Sequence, residues 1–287
     1  KKAFDEVLLD SGKDEGKSIF LSDEAISRFG VGKNMVASIK HWASTTKIIK
    51  NNELTSVWES TRLGNLIFNE VDPFMENPST LWLIHWNLAS NPLRTTWFWV
   101  FNHFPGIQFD RDILLSNLKA LSEKQEWKKT SEATIKRDVE CFTRTYASRI
   151  KTSKISNEEA LESPLTELGI IRSTGKKDGF RFVKGNKPTL KDGVFTYAII
   201  DYWMRNFNEA NSLSFEAVTY QPGSVGKVFL LDENSMVHRL VNLEKITDGV
   251  ISWSETAGLK QIIKRPDTVF DDDLKFKILK KYFSNNQ

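Results

Sequence analysis

The run Phe29-Gly30-Val31-Gly32-Lys33-Asn34 sets two glycines ahead of a lysine. Such a loop can wrap phosphate oxygens in backbone N–H groups. Two chemistries are open to it, a nucleotide cradle or the backbone of a nucleic acid. A cradle of the Gly-x-x-x-x-Gly-Lys-Ser/Thr kind, fixed on Gly32-Lys33, needs glycine at Ser27 and a hydroxyl at Asn34, and has neither. The pattern Gly-x-Gly-x-x-Gly fails at Met35. What remains is a short glycine turn feeding a helix, the layout of a helix-turn-helix. On that helix Lys33 and Lys40 would attract phosphate, Asn34 could pair with a base edge, and His41 flanks them. The plain alternative is a solvated polar face.

A second cationic pattern lies further on. Arg137, Arg144 and Lys151 recur every seven residues, with Lys136 beside the first, so one helix face could carry a track of phosphate contacts. Its alternative is surface charge paired with Asp138 and Glu140 at short helical spacings. Lys176 and Lys177 stand at the tip of a Gly-Lys-Lys-Asp-Gly turn. Polar residues also interrupt a tryptophan-rich stretch: His85 and Asn87, then Arg94, Asn102 and His103. Buried histidine and asparagine demand hydrogen-bond partners, so a satisfied structural network is the simplest use for them. Glu167 and Asp201 could each be a metal ligand but read more simply as caps or ion-pair partners, and Asp271-Asp272-Asp273 as the acidic start of a helix.

The elements that must carry these residues follow from periodicity. Ala25, Ile26 and Phe29 form one buried side, Gly30-Val31-Gly32 breaks it, and Val36, Ile39, Trp42 and Ala43 stripe the next helix. "KIIKNNELTSVWESTRLGNLIF" reads as a strand, a short helix and a returning segment. Between Pro78 and Pro105 sit four of the nine tryptophans, and Asn91-Pro92 splits that stretch into two buried helices. Ile113, Leu114, Leu118 and Leu121 stripe a further helix. Ile135, Val139, Phe142, Tyr146 and Ile150 stripe a longer one, and "ELGIIRSTGKKDGFRFVKG" follows as a hairpin. A fainter third group runs from "VFTYAIIDYWMRNF" through "DENSMVHRLVNL" and "GVISWSETAGLKQII" to a terminal helix. The expected architecture is α+β and mostly helical. Tandem winged-helix-like units, each a helix-turn-helix with a short wing, would surround a tryptophan-rich helical hairpin. The expected domains are 1–77, 78–187 and 188–287.

Composition sets the outer bounds. The 287 residues are 40% hydrophobic and 27% charged, ordinary for a soluble globular protein. One cysteine, Cys141, excludes a disulfide framework and a multi-cysteine zinc site. No secretory signal opens the chain and no apolar run reaches the length of a membrane span, so a cytoplasmic setting is expected. The net charge of +3 says little, but nine Lys/Arg face four Asp/Glu between Lys124 and Lys154. Concentrated positive charge is the footprint of a phosphate-backbone binder.

"GVGKNMVASIKHW", "WLIHWNLASNP", "TTWFWVFNHF", "TIKRDVECFTRTY" and "ESPLTELGII" occur in this order. As a set they resemble a bacterial family of domains of unknown function found beside DNA phosphorothioation genes. That family is similar to the B component of the Ssp system, which couples sulfur modification of the DNA backbone to phage defence. The resemblance spans Phe20 to about Lys264. It implies a protein that binds double-stranded DNA and nicks it. The implied partners are a cysteine desulfurase, a sulfur-activating component and an ATPase. Under that implication His85, Asn87, Asn102 and His103 become candidates for strand cleavage, with Arg94 as a phosphate clamp and Mg²⁺ or Mn²⁺ as a candidate cofactor. The residues themselves point to no cofactor. A non-catalytic adaptor or transcriptional regulator is the rival expectation. Two-fold pairing of recognition helices would make a homodimer.

Overall fold

A computed structural model of the chain describes residues 1–10, 19–21, 24–127, 130–148, 162–175, 178–256 and 258–284. Two compact units emerge, residues 1–88 and 89–287. No described helix is long and apolar enough to cross a membrane.

In the first unit α1 (Lys2–Asp10), α2 (Ala25–Phe29) and α3 (Lys33–Thr45) precede a hairpin of β1 (Ile49–Asn51) and β2 (Trp58–Ser60). α4 (Arg62–Asn65) then runs into a π-helical turn (Leu66–Val71), and α5 (Pro78–Ala89) crosses the boundary between the units. Phe4, Phe29, Ile49 and Ile67 fill the core, where Phe20 stacks on Phe29 at 5.3 Å and meets Trp58 edge-on at 5.4 Å. α2 stops because Gly30 enters the left-handed region at φ 61°, which a side chain resists. Arg28 holds α2 to α1 through Glu6 at 3.3 Å and Asp10 at 3.1 Å. The expected short helix between the two strands is absent. Asn52 Oδ1 instead accepts from Leu54 N at 3.0 Å, closing a tight turn, and helix begins only after β2. Ser22 and Asp23, residue types suited to capping the helix that follows, lie outside the described residues.

The second unit starts with α6 (Thr95–Asn102), then β3 (Gln108–Asp110), α7 (Arg111–Lys124) and α8 (Glu132–Tyr146). A 3₁₀ turn (Pro164–Leu168) leads to β4 (Ile171–Ser173) and β5 (Gly179–Phe182), and β5 lies between β3 and β4. The pattern then recurs. α9 (Asp192–Asn206) is followed by β6 (Ser212–Ser214), α10 (Phe215–Tyr220), α11 (Val225–Val228), α12 (Glu233–Val241) and α13 (Leu243–Ile246). β7 (Ile251–Thr256) and β8 (Leu259–Lys264) close it in the order β6-β8-β7, and α14 (Asp272–Lys281) ends the unit. Every strand pair is antiparallel. Twice, therefore, a first strand precedes helices, and the returning hairpin lays its second strand against that first one.

Aromatic packing makes the first of these groups cohere. Phe109 touches Phe180 and Phe182 at 5.6 and 5.0 Å, while Phe101 meets Phe142 and Tyr146 at 5.7 and 5.2 Å. Each such ring contributes about 2–3 kcal/mol by leaving water. α9 is the spine of the second group, buried from Gly193 to Trp203. α14 lies so close that a Cβ on Gly193 would stand 2.6 Å from the Tyr282 carbonyl oxygen. Asp201 receives Lys275 of α14 at 3.2 Å and Arg205 at 3.0 Å, so it is an ion-pair partner as expected. Asp271 caps α14 by accepting from Leu274 N at 2.8 Å.

Candidate nucleic-acid interface

α8 carries the clearest cationic face. Ile135, Val139, Phe142 and Tyr146 turn inward with at most 4% exposure, and Tyr146, sealed in that core, has its hydroxyl pKa pushed far up. At 100° per residue Arg137 and Arg144 fall opposite this stripe, and both are exposed, as is Lys136. None of the three forms an ion pair among the described residues. Among the described residues Glu140 forms no ion pair with them, and Glu132 is bound by Lys119 at 2.7 Å. α8 ends at Tyr146 because Ala147 adopts an extended backbone (φ −118°, ψ 126°). Lys151, placed by spacing on the same face, lies outside the described residues, as do Ile150, Lys176 and Lys177.

The hairpin behind α8 adds two cations that spacing did not single out. Arg172 and Arg181 are direct cross-strand partners on one face of β4 and β5, and both are exposed. Like charges placed so disfavour the strand pair by tenths of a kcal/mol up to about 1 kcal/mol. Arg111, opening α7, donates to Thr143 Oγ1 at 3.2 Å and pairs with Asp178 beside the hairpin turn. Arg111 and Asp178, with Asp112, Leu115, Lys136, Val139 and Glu140, line a cavity of about 220 Å³. Only the partnering strand, some seventy residues from β3, reveals this group, and no local pattern signals such pairing.

α3 presents a thinner version of the same idea. Lys33, Asn34 and His41 are exposed, with Ala37 between them, while Val36 is buried. Lys40 is half-buried with its Nζ 5.9 Å from the centre of the Trp58 ring. That cation–π contact holds the lysine at the hairpin edge and leaves its charge intact.

The five cleavage candidates are divided. His85 and Asn87 belong to the first unit, and Arg94, Asn102 and His103 to the second. His85 is 0% exposed against Trp82, with ring centroids 5.9 Å apart. Asn87 donates to the Thr46 carbonyl at 3.1 Å, while its side-chain oxygen is buried without a partner. Asn102 is fully occupied: its amide donates to Ala89 O at 2.9 Å and Phe98 O at 2.8 Å, and its oxygen accepts from Gly223 N at 2.7 Å. Arg94 and His103 cap opposite ends of α6, about 13 Å apart along the axis at 1.5 Å per residue. His103 is exposed beside Phe98, and partial burial, then the Lys227 charge, lower its pKa.

Mg²⁺ takes carboxylate, carbonyl and water oxygens. These candidates supply imidazole, amide and guanidinium, and the described residues contain no group of three His, Cys, Asp or Glu suited to a metal. The set does not fit that ion, and no step is routed through one.

No curated protein matches the chain. Two solved structures do, magnesium ion-bound SspB at 25% identity and SspB at 26%, each with a TM-score of 0.82 over 98% of this chain and 82% of the other. The fold is therefore SspB-like. A family model described as a protein of unknown function, DUF4007, matches residues 1–283, and the chain belongs to that family.

Proposed function

We propose that this chain binds double-stranded DNA through winged-helix-like units and acts in a DNA phosphorothioation and phage-defence system, where it nicks DNA. One observation carries the reading. Arg137 and Arg144 stand opposite the buried stripe of α8, exposed and without ion-pair partners among the described residues, on the second helix of a strand–helix–helix–hairpin group. Helices so placed lie in a major groove, and the following hairpin reaches the adjacent backbone. The Arg172–Arg181 pair fits that role, since facing like charges cost stability unless an anion joins them. The units follow the divisions 1–77, 78–187 and 188–287. Likeness to SspB supports placing the chain with a cysteine desulfurase, a sulfur-activating component and an ATPase.

For cleavage, exposure favours His103 over the sealed His85. With its pKa lowered, His103 is neutral at pH 7 and able to accept a proton from water. The rival adaptor reading gains from Asn102, whose amide is used up in backbone bonds. Supercoiled plasmid incubated with the protein and Mg²⁺ or Mn²⁺ separates them. Open circles that disappear with His103→Ala establish nicking. A salt-sensitive gel shift without open circles establishes the adaptor, and absence of any shift sinks the DNA reading.

A further inference from the structure

Away from α8, hydrogen bonds in the second unit bring together the backbone segments that carry His103, Lys184 and Lys227. Asn102 accepts the Gly223 N–H and so fastens the end of α6 to the turn before α11. His103 is the next residue along, and Lys227 lies on α11. Gly185 N donates to Leu230 O at 3.0 Å, and Leu230 N to Lys227 O at 3.3 Å, which brings Lys184 beside the same short helix. The charges feel one another: Lys227 lowers the pKa of His103, and burial, then Lys184, lowers that of Lys227. No carboxylate pairs with any of the three among the described residues. A half-buried ammonium facing like charges is unfavourable unless an anion completes the group.

We infer that His103, Lys184 and Lys227 form a binding site for a phosphodiester of the DNA backbone, distinct from the outward face of α8. The assignment rests on the DNA reading above. It gives His103 a phosphate to act on and makes Lys227 the residue that holds it there. An ammonium within reach of both imidazole and phosphate oxygen favours the bound anion and keeps His103 uncharged until that anion arrives.

Two measurements test it. First, His103 is titrated by NMR in inorganic phosphate and in chloride of equal ionic strength, its signal assigned through His103→Gln. Phosphate should raise the midpoint by about one pH unit by screening Lys227, and Lys227→Met should abolish that response. An unchanged midpoint, or a full response in Lys227→Met, overturns the site. Second, salt slopes are measured for binding to a short duplex. Lys184→Gln, at an exposed position that leaves folding intact, should flatten the slope by about one unit, and so should Lys227→Met. If wild type shifts the duplex and both slopes stay unchanged, the inference fails while the DNA reading stands. If wild type binds no duplex, the DNA reading fails and takes the backbone assignment with it, leaving any response to inorganic phosphate as a free-anion site.

Discussion

α8 and α12 both lie between the first strand and the returning hairpin of groups with the same strand order, yet they use arginine in opposite ways. On α8, Arg137 and Arg144 face solvent. On α12, Arg239 is turned inward to 8% exposure, where it meets Asp192 Oδ1 at 3.3 Å, the Lys187 carbonyl at 3.0 Å and the Phe195 ring at 5.5 Å. The exposed positions there are the N-cap Asp232, then Glu233, Asn234, His238 and Val241. Shared topology thus does not make a shared surface. One group turns these arginines to solvent and the other turns Arg239 into its own interior.

The largest effect expected from breaking this contrast is on stability. Arg239→Ala takes from half-buried Asp192 the guanidinium 3.3 Å away and strips the Lys187 carbonyl of its donor, and should cost about 3–5 kcal/mol in chemical denaturation. If the loss is under about 1 kcal/mol, the inward arginine is not structural. Lys187 beside it gives the next largest effect. Its ammonium donates to Val183 O at 2.7 Å and Gly185 O at 3.1 Å, but burial pulls its pKa down to about 8. The unfolded chain therefore binds more protons than the native one between pH 8 and the ordinary lysine pKa, so stability rises with pH across that window. From pH 7 to 9.5 the gain should reach about 2 kcal/mol relative to Lys187→Met. Equal pH profiles for the two proteins refute it.

Affinity should respond on the other helix. Replacing both Arg137 and Arg144 by Gln should weaken duplex binding across all sequences and flatten the salt slope by about two units. A loss confined to one sequence would mean base reading instead. The smallest effect is the stability of that same variant, expected within about 0.5 kcal/mol of wild type. A larger drop would show that α8 also spends its arginines inward.

Much of α8 was legible because a stripe at helical spacing fixes both its buried side and the side left for charge. The Gly30 break and the start of α3 were equally plain, since glycine in the left-handed region leaves a local mark. Arg239 was not, because "MVHRLV" looks like any amphipathic turn and its partner Asp192 is 47 residues away. β3 and β6 escaped for another reason: three residues are too few for an alternating pattern, and their pairing is decided by strands much later in the chain. Ile113, read as core, is 41% exposed, because one helical residue turns by about 100° and sets it to the side of the Leu114–Leu118 stripe. The site was harder still. His103 could be named from its polarity, but its companions Lys184 and Lys227 are single lysines in apolar runs, joined only by the folded chain.

The middle seat of β5 and β8 has a bearing on how the protein is made. Each is the last strand of its sheet to leave the ribosome, and each is the one that both neighbours require. Neither sheet can be assembled piecemeal, so a nascent chain stopped just before Gly179, or just before Leu259, holds its earlier strands with open edges and nowhere to zip. Premature termination at those points should yield sticky fragments and not smaller working pieces.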